Sequence, residues 1–141
     1  MAIGSYEENW RLATARLSLR PFAATDRARL HAIFRDPYVR RYLWDSCLVA
    51  FSEVDAAIAA SDASFREHGL GLWCAAERAA GDPSATIGFG GLRPRRGGEL
   101  ELMYGFLPEH WGRGLAAELS RAVTQLAFAR GHARIWAGTD L

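Results

Sequence analysis

The stretch Glu99-Leu100-Glu101-Leu102-Met103-Tyr104-Gly105-Phe106-Leu107-Pro108-Glu109-His110-Trp111-Gly112-Arg113-Gly114-Leu115-Ala116 decides the fold. From Glu99 to Leu107 the residues alternate. Glu99, Glu101, Met103 and Gly105 share one face, and Leu100, Leu102, Tyr104 and Phe106 the other, which is the period of a strand. Pro108 closes it, because proline cannot donate to a ladder. From Gly112 to about Arg130 the period changes to that of a helix, with Leu115, Leu119, Ala122, Val123 and Leu126 on one apolar stripe. Gly131 stops the helix, and Ala133 begins a last short strand that reaches Ala137. Strand, helix and strand in succession make a crossover unit, which favours an α+β or mixed α/β domain with one sheet.

Upstream, the pattern supplies the rest of that sheet. Residues 1–13 are polar and read as a loose arm with Trp10 tucked in. Ala15–Phe22 alternates, Leu17 and Leu19 opposing Arg16, Ser18 and Arg20, and reads as a half-buried strand ended by Pro21. Thr25-Asp26 starts a helix whose apolar face is Ala28, Leu30, Ile33 and Phe34. Asp36-Pro37 breaks it, and Tyr38–Trp44 is a short helical turn rich in aromatics and arginine. Ser52 with Asp55 is an N-cap signal for a further helix through Ala56, Ile58, Ala59 and Phe65, stopped at Gly69. Leu70–Glu77 reads as a strand with Trp73 as a core residue. Gly81-Asp82-Pro83 is turn chemistry. Ala85–Leu92 is a strand whose glycines mark a bulge or a close backbone approach. Arg95-Arg96-Gly97-Gly98 is a hairpin turn.

Bulk properties narrow the function classes. A chain of 141 residues, half of them hydrophobic, fits one domain with a packed core. A net charge of +1 makes no case for nucleic acid or an anionic membrane as partner. All 17 basic residues are arginine, so Schiff-base chemistry and a P-loop lysine are excluded. Cys47 and Cys74 form no C-x-x-C pair, and His31, His68, His110 and His132 have no metal spacing, so no metal is expected. The N-terminus lacks the pattern of a signal peptide, and no apolar run is long enough to span a bilayer. A cytoplasmic location is the expectation.

The Gly112-Arg113-Gly114 turn opens a helix. The first N–H groups of a helix lack internal partners, and the dipole makes that end positive. Glycines allow an anion to approach the backbone, and Arg113 can add charge-assisted hydrogen bonds. By spacing alone, this reading stands beside a simpler one in which the glycines only ease a tight turn. The P-loop and the Rossmann fingerprint are both excluded, the first by the missing lysine and the second by the missing third glycine.

Taken together, these segments resemble the GNAT superfamily of acetyl-CoA-dependent N-acetyltransferases, and more narrowly its branch that acetylates ribosomal-protein N-termini. Trp111-Gly112-Arg113-Gly114-Leu115-Ala116 is similar to the family's pyrophosphate motif, with a first-position tryptophan typical of that branch. Thr14-Ala15-Arg16-Leu17-Ser18-Leu19-Arg20-Pro21 resembles its opening strand. Asp36-Pro37-Tyr38-Val39-Arg40-Arg41-Tyr42-Leu43 resembles its acceptor-side turn, and Glu101–Glu109 its splayed fourth strand. The match runs in consistent order over about residues 14 to 138.

The resemblance implies a single domain over 1–141 with a mixed α+β fold. Its central, mostly antiparallel sheet is flanked by helices and splayed between the fourth and fifth strands. It implies acetyl-CoA as co-substrate, with Trp111, Gly112, Arg113, Gly114, Leu115 and Ala116 on the pyrophosphate and Phe106 and Leu107 lining the pantetheine arm. An amine acceptor, a protein N-terminus or a small molecule, would attack the thioester directly. Glu101 is the candidate base; a solvated strand carboxylate, or a partner for Arg95 or Arg96, is the other reading of it. Tyr38, Arg41 and Trp44 are candidates for the acceptor wall. Family members continue with an asparagine-containing helix and two further strands, whereas this chain stops at Thr139-Asp140-Leu141. The expectation is therefore either a shortened N-acetyltransferase or a non-catalytic acyl-CoA-binding or interaction domain. An exposed last strand makes a homodimer part of that expectation.

Overall fold

The computed structural model describes residues 10–40, 50–95, 99–132 and 134–137. Among these, one six-stranded sheet runs in chain order: β1 (Leu12–Ala13), β2 (Leu17–Pro21), β3 (Leu72–Glu77), β4 (Thr86–Pro94), β5 (Leu100–Phe106) and β6 (Ile135–Ala137). Neighbours are antiparallel except β5 and β6, which are parallel. The helices are α1 (Arg27–Arg35), α2 (Pro37–Arg40), α3 (Phe51–His68) and α4 (Leu115–Ala129). Parallel strands need a long crossover, and α4 supplies it. The expected mixed α+β fold is therefore the fold that forms.

The alternation read in Ala15–Phe22 is that of β2, with Leu17 and Leu19 fully buried and Ser18 and Arg20 half-buried. The loose arm needs correcting in its described part. Leu12 and Ala13 pair with Leu19 and Ser18. The Trp10 ring packs 5.6 Å from Phe65, and its carbonyl accepts the Trp73 indole N–H at 2.7 Å. Those contacts pin the arm beside β2, so the expected fourth and fifth strands are β5 and β6.

Each face of the sheet carries a core. On one, Leu17, Leu19, Trp73, Leu100 and Phe106 pack against Leu115, Leu119 and Val123 of α4. On the other, Phe22, Cys74, Phe89 and Met103 pack against Leu30, Ile33 and Phe34 of α1 and Val54 of α3. Trp73 is fully buried, as its core assignment required. The glycines of β4 serve close approach. A Cβ at Gly90 would lie 2.4 Å from Leu119 of α4, and one at Gly91 would lie 2.1 Å from the Gly71 carbonyl oxygen. The expected bulge is on the same strand: Ala75 and Ala76 of β3 pair with Gly88 and Thr86, so Ile87 of β4 is the extra residue.

Three helix readings change. Ala28 is exposed on α1, and Ala56 and Ala59 are exposed on α3. The buried face of α3 is Val54, Ser61, Ser64 and Phe65. Its serines are tolerated because they are satisfied: Ser61 Oγ accepts the Leu72 N–H at 2.8 Å, and Ser64 Oγ donates to the Leu70 carbonyl at 2.6 Å. The N-cap of α3 is Ala50, not Ser52, and the Glu53 carboxylate takes the Ala50 N–H at 3.3 Å. Only the carboxylate half of a capping box is possible, since alanine has no side-chain acceptor. Finally, α4 begins at Leu115 rather than Gly112, because Gly112 and Gly114 hold φ values of +78° and +77° that helix cannot use. Gly69, with φ +69°, ends α3 as expected.

Candidate functional site

The site is built where β5 gives way to α4. The Leu107 N–H still reaches the Ile87 carbonyl of β4, at 3.0 Å. Pro108 then opens a single 3-10 turn to His110, where its missing N–H costs nothing. The two left-handed glycines follow, and nothing stands within 4 Å of a Cβ built on Gly112. Glu118 makes the first backbone bond of the helix, to the Gly114 carbonyl at 3.0 Å. Among the described residues, no protein acceptor takes the N–H groups of Gly112 through Ala117. Gly112, Arg113 and Gly114 are exposed, while Leu115 is buried and anchors the turn to the core. The result is a run of outward donors at the positive end of a long helix, which is an anion cradle.

The charges around the cradle differ from the sequence reading. The Arg113 guanidinium is turned away to the Glu77 carboxylate at the end of β3, and His110 Nδ1 sits 3.6 Å from the same carboxylate. Arg113 thus offers the cradle its N–H, while its side chain braces the loop. A second network escaped sequence reasoning. Glu118 Oε1 takes Arg16 Nε at 2.8 Å, and Oε2 takes the Arg16 N–H at 2.8 Å and the Thr14 hydroxyl. Arg16 also donates to the Arg113 carbonyl at 2.8 Å. These residues lie up to 104 positions apart, so no periodicity could join them. Burial pushes the Glu118 pKa up. The hydrogen bonds from Thr14 and Arg16 and the Arg16 charge outweigh it and hold the carboxylate at about 2.

The end of β5 beyond its described pairing with β6 leads into the cradle. Leu107 bonds toward β4, so alternation turns the N–H and C=O of Tyr104 and Phe106 the other way. The described pairing with β6 stops at Leu102 and Ala137. Among the described residues this leaves the backbone of Tyr104 and Phe106 beyond the reach of β6. One group there is occupied: Trp111 Nε1 donates to the Phe106 carbonyl at 2.6 Å. The Phe106 side chain is buried in the core beneath Gly88, so its backbone alone faces the edge. Leu107 is half-buried against the α1 side. Tyr38, more than half exposed at the start of α2, meets Trp111 edge to face with centroids 6.0 Å apart. The structure thus brings Tyr38 to the cradle; Arg41 and Trp44 lie outside the described residues.

Glu101 stands five residues before Phe106, roughly 17 Å along the strand at about 3.4 Å per residue. Arg93, its register partner, donates to Oε1 from Nε at 2.8 Å. Arg95 Nε lies 3.7 Å from Oε2, and its guanidinium sits 4.9 Å from the Trp136 ring centroid. Arg93, Pro94, Arg95, Glu99 and Glu101 line an open depression here. The alternative reading of Glu101 as an arginine partner is therefore realised with Arg93 and Arg95. Cys74 takes no part: burial, then the Asp26 carboxylate, push its thiol pKa far above the ordinary range. Among the described residues no helix is long and apolar enough to cross a membrane, and no cluster of His, Cys, Asp and Glu could hold a metal.

Residues 16–141 match the family model of the acetyltransferase (GNAT) domain. The chain belongs to the GNAT acetyltransferase family. It is 30% identical over 127 residues to the uncharacterized N-acetyltransferase YoaA of Bacillus subtilis, covering 89% of this chain and 71% of that protein. Its fold is similar to an acetyltransferase from Agrobacterium tumefaciens, with a TM-score of 0.70 at 24% identity over 91% of this chain and 68% of that one. It is also similar to yncA of Salmonella typhimurium, described as a putative acetyltransferase with its cofactor acetyl-CoA. There the TM-score is 0.64 at 18% identity, over 88% of this chain and 70% of that one. As a GNAT member the chain is an acetyltransferase, and the cradle at Gly112–Ala117 lies inside the matched region.

Proposed function

We propose that this GNAT chain transfers the acetyl group of acetyl-CoA to a primary amine, either a protein N-terminus or a small-molecule amine. The observation that carries the reading is the run of N–H groups from Gly112 to Ala117 with no acceptor among the described residues, open on the Gly112 side. It suits a pyrophosphate at the positive end of α4. The similar structure of yncA with acetyl-CoA supports the same donor. The backbone of Tyr104 and Phe106 fits an extended, amide-bearing arm, which bonds an open strand edge as an added strand does.

Direct attack joins the amine nitrogen to the thioester carbonyl carbon and breaks the carbon–sulfur bond; the thiolate departs and is protonated. The amine must be neutral first. A lysine side chain, with a pKa of about 10.4, needs strong help at neutral pH, whereas an α-amine at about 7.7–8.0 needs little. A carboxylate already shared with Arg93 and Arg95 suits that lighter task, so Glu101 is assigned as the base, directly or through a water. Tyr38 beside Trp111 is assigned to the acceptor wall. The tryptophan-led motif at Trp111–Ala116 supports the branch that acetylates ribosomal-protein N-termini.

An acetyl-CoA-dependent thiol-release assay against a panel of amines and N-terminal peptides tests the proposal. Turnover with α-amines above side-chain amines is expected. No calorimetric binding at millimolar acetyl-CoA would overturn it.

A further inference from the structure

We propose that Arg16 is the positioning residue for the cofactor phosphates, clamping the Gly112–Gly114 loop in its anion-receiving shape from the turn between β1 and β2. This rests on the pyrophosphate reading of the loop. Arg16 donates to the Arg113 carbonyl at 2.8 Å. The plane from Arg113 to Gly114 is trans, so its N–H points opposite its C=O. Holding that carbonyl on the Arg16 side aims the Gly114 N–H away from Arg16. On its far side the plane is bounded by Gly114 at φ +77°, a residue poorly able to fix its orientation by itself, and the peptide before it begins at Gly112 with φ +78°.

Arg16 is itself aimed. Its Nε is held by Glu118 Oε1 at 2.8 Å, and its own N–H and the Thr14 hydroxyl hold the other carboxylate oxygen. One guanidinium thus ties the start of α4 to the peptide that precedes it. Its remaining NH2 arm lies 3.6 Å from where a Gly114 Cβ would stand. The Arg113 side chain is committed to Glu77, so the guanidinium set against the glycine turn is that of Arg16. A lysine cannot reproduce this, because one ammonium on a flexible stem lacks the planar fork that reaches two acceptors on different elements.

The test compares CoA, which carries the phosphates, with pantetheine, which does not. CoA binding is followed by calorimetry and pantetheine by ligand-observed NMR, for the wild-type chain, Arg16→Gln, Arg16→Lys and Thr14→Val. Arg16→Gln is expected to weaken CoA binding about tenfold or more, on the scale of one charge-assisted hydrogen bond. Pantetheine binding is expected to be unchanged. Arg16→Lys is expected not to restore CoA affinity, and Thr14→Val, which removes no charge, to lower it in the same direction. CoA affinity kept within about twofold in Arg16→Gln, on the same energy scale, overturns the proposal. So does an equal loss for both ligands, which marks a general folding defect, or full rescue by lysine. A wild-type chain that does not bind CoA overturns the pyrophosphate reading itself, and that result is seen before any variant is made.

Discussion

The indole N–H of Trp111 is hydrogen-bonded at 2.6 Å to the carbonyl oxygen of Phe106, the last residue of β5. The bond fastens the 3-10 turn back on the strand it leaves and fixes where the cradle begins. Trp111→Phe keeps the ring against Tyr38 and removes this donor. The expected loss is about 1 kcal/mol of unfolding free energy, the usual net worth of such a bond. Urea denaturation measures it, and an unchanged midpoint would show that solvent replaces the bond at no cost.

Gly114 sits at φ +77° beside the Arg16 guanidinium, and Gly112 at φ +78° faces open space. Gly112→Ala should cost about 1–2 kcal/mol of stability through backbone strain alone. Gly114→Glu adds bulk and a like charge at the mouth, and acetyl-CoA binding should fall below detection by calorimetry. Wild-type affinity in that variant would remove the loop from the cofactor site.

Glu101 is bound by Arg93 and approached by Arg95, yet it is the carboxylate assigned as base. Glu101→Gln keeps the shape and removes the charge. Turnover should fall by about 100-fold, at the lower end of what a general base contributes, and the acidic limb of the pH–rate profile should move. A wild-type profile leaves Glu101 with only its role of neutralising the two arginines.

Glu118 gives a pH prediction with a definite sign. Its carboxyl falls from an ordinary 4.5 to about 2 in the folded chain. A depressed folded-state pKa contributes stability that is full above the unfolded value and is lost as pH falls from about 4.5 toward 2. The stability gap between wild type and Glu118→Gln should therefore be constant near neutrality and shrink through that acid window. Urea midpoints at a series of pH values read it directly. A gap independent of pH would mean that the Thr14–Arg16–Glu118 network does not stabilise the fold.

From β2 onward, the order of strands and helices and most of the buried faces were legible in the residues alone, while β1 and part of the helix faces were not. The switch of period between Phe106 and Leu115, with Pro108 and the two glycines between, is a local signal written in adjacent residues. It marked the strand, the turn and the helix, and with them the donors of the cradle. The alanine-rich α3 read less well, because short apolar side chains give a weak stripe and its buried serines are satisfied by β3 and the turn before it.

Which side chains meet around the cradle follows from the packing of the folded chain. It gave Arg113 to Glu77, brought Arg16 under the loop by way of Glu118, set Tyr38 against Trp111, and paired Glu101 with Arg93. Three of these contacts join elements distant in the chain, and Glu101–Arg93 joins neighbouring strands; a long charged side chain can reach several partners at similar cost. Which partner it takes follows from how the sheet orders its strands and where α4 crosses them. Residue spacing carries no record of that choice.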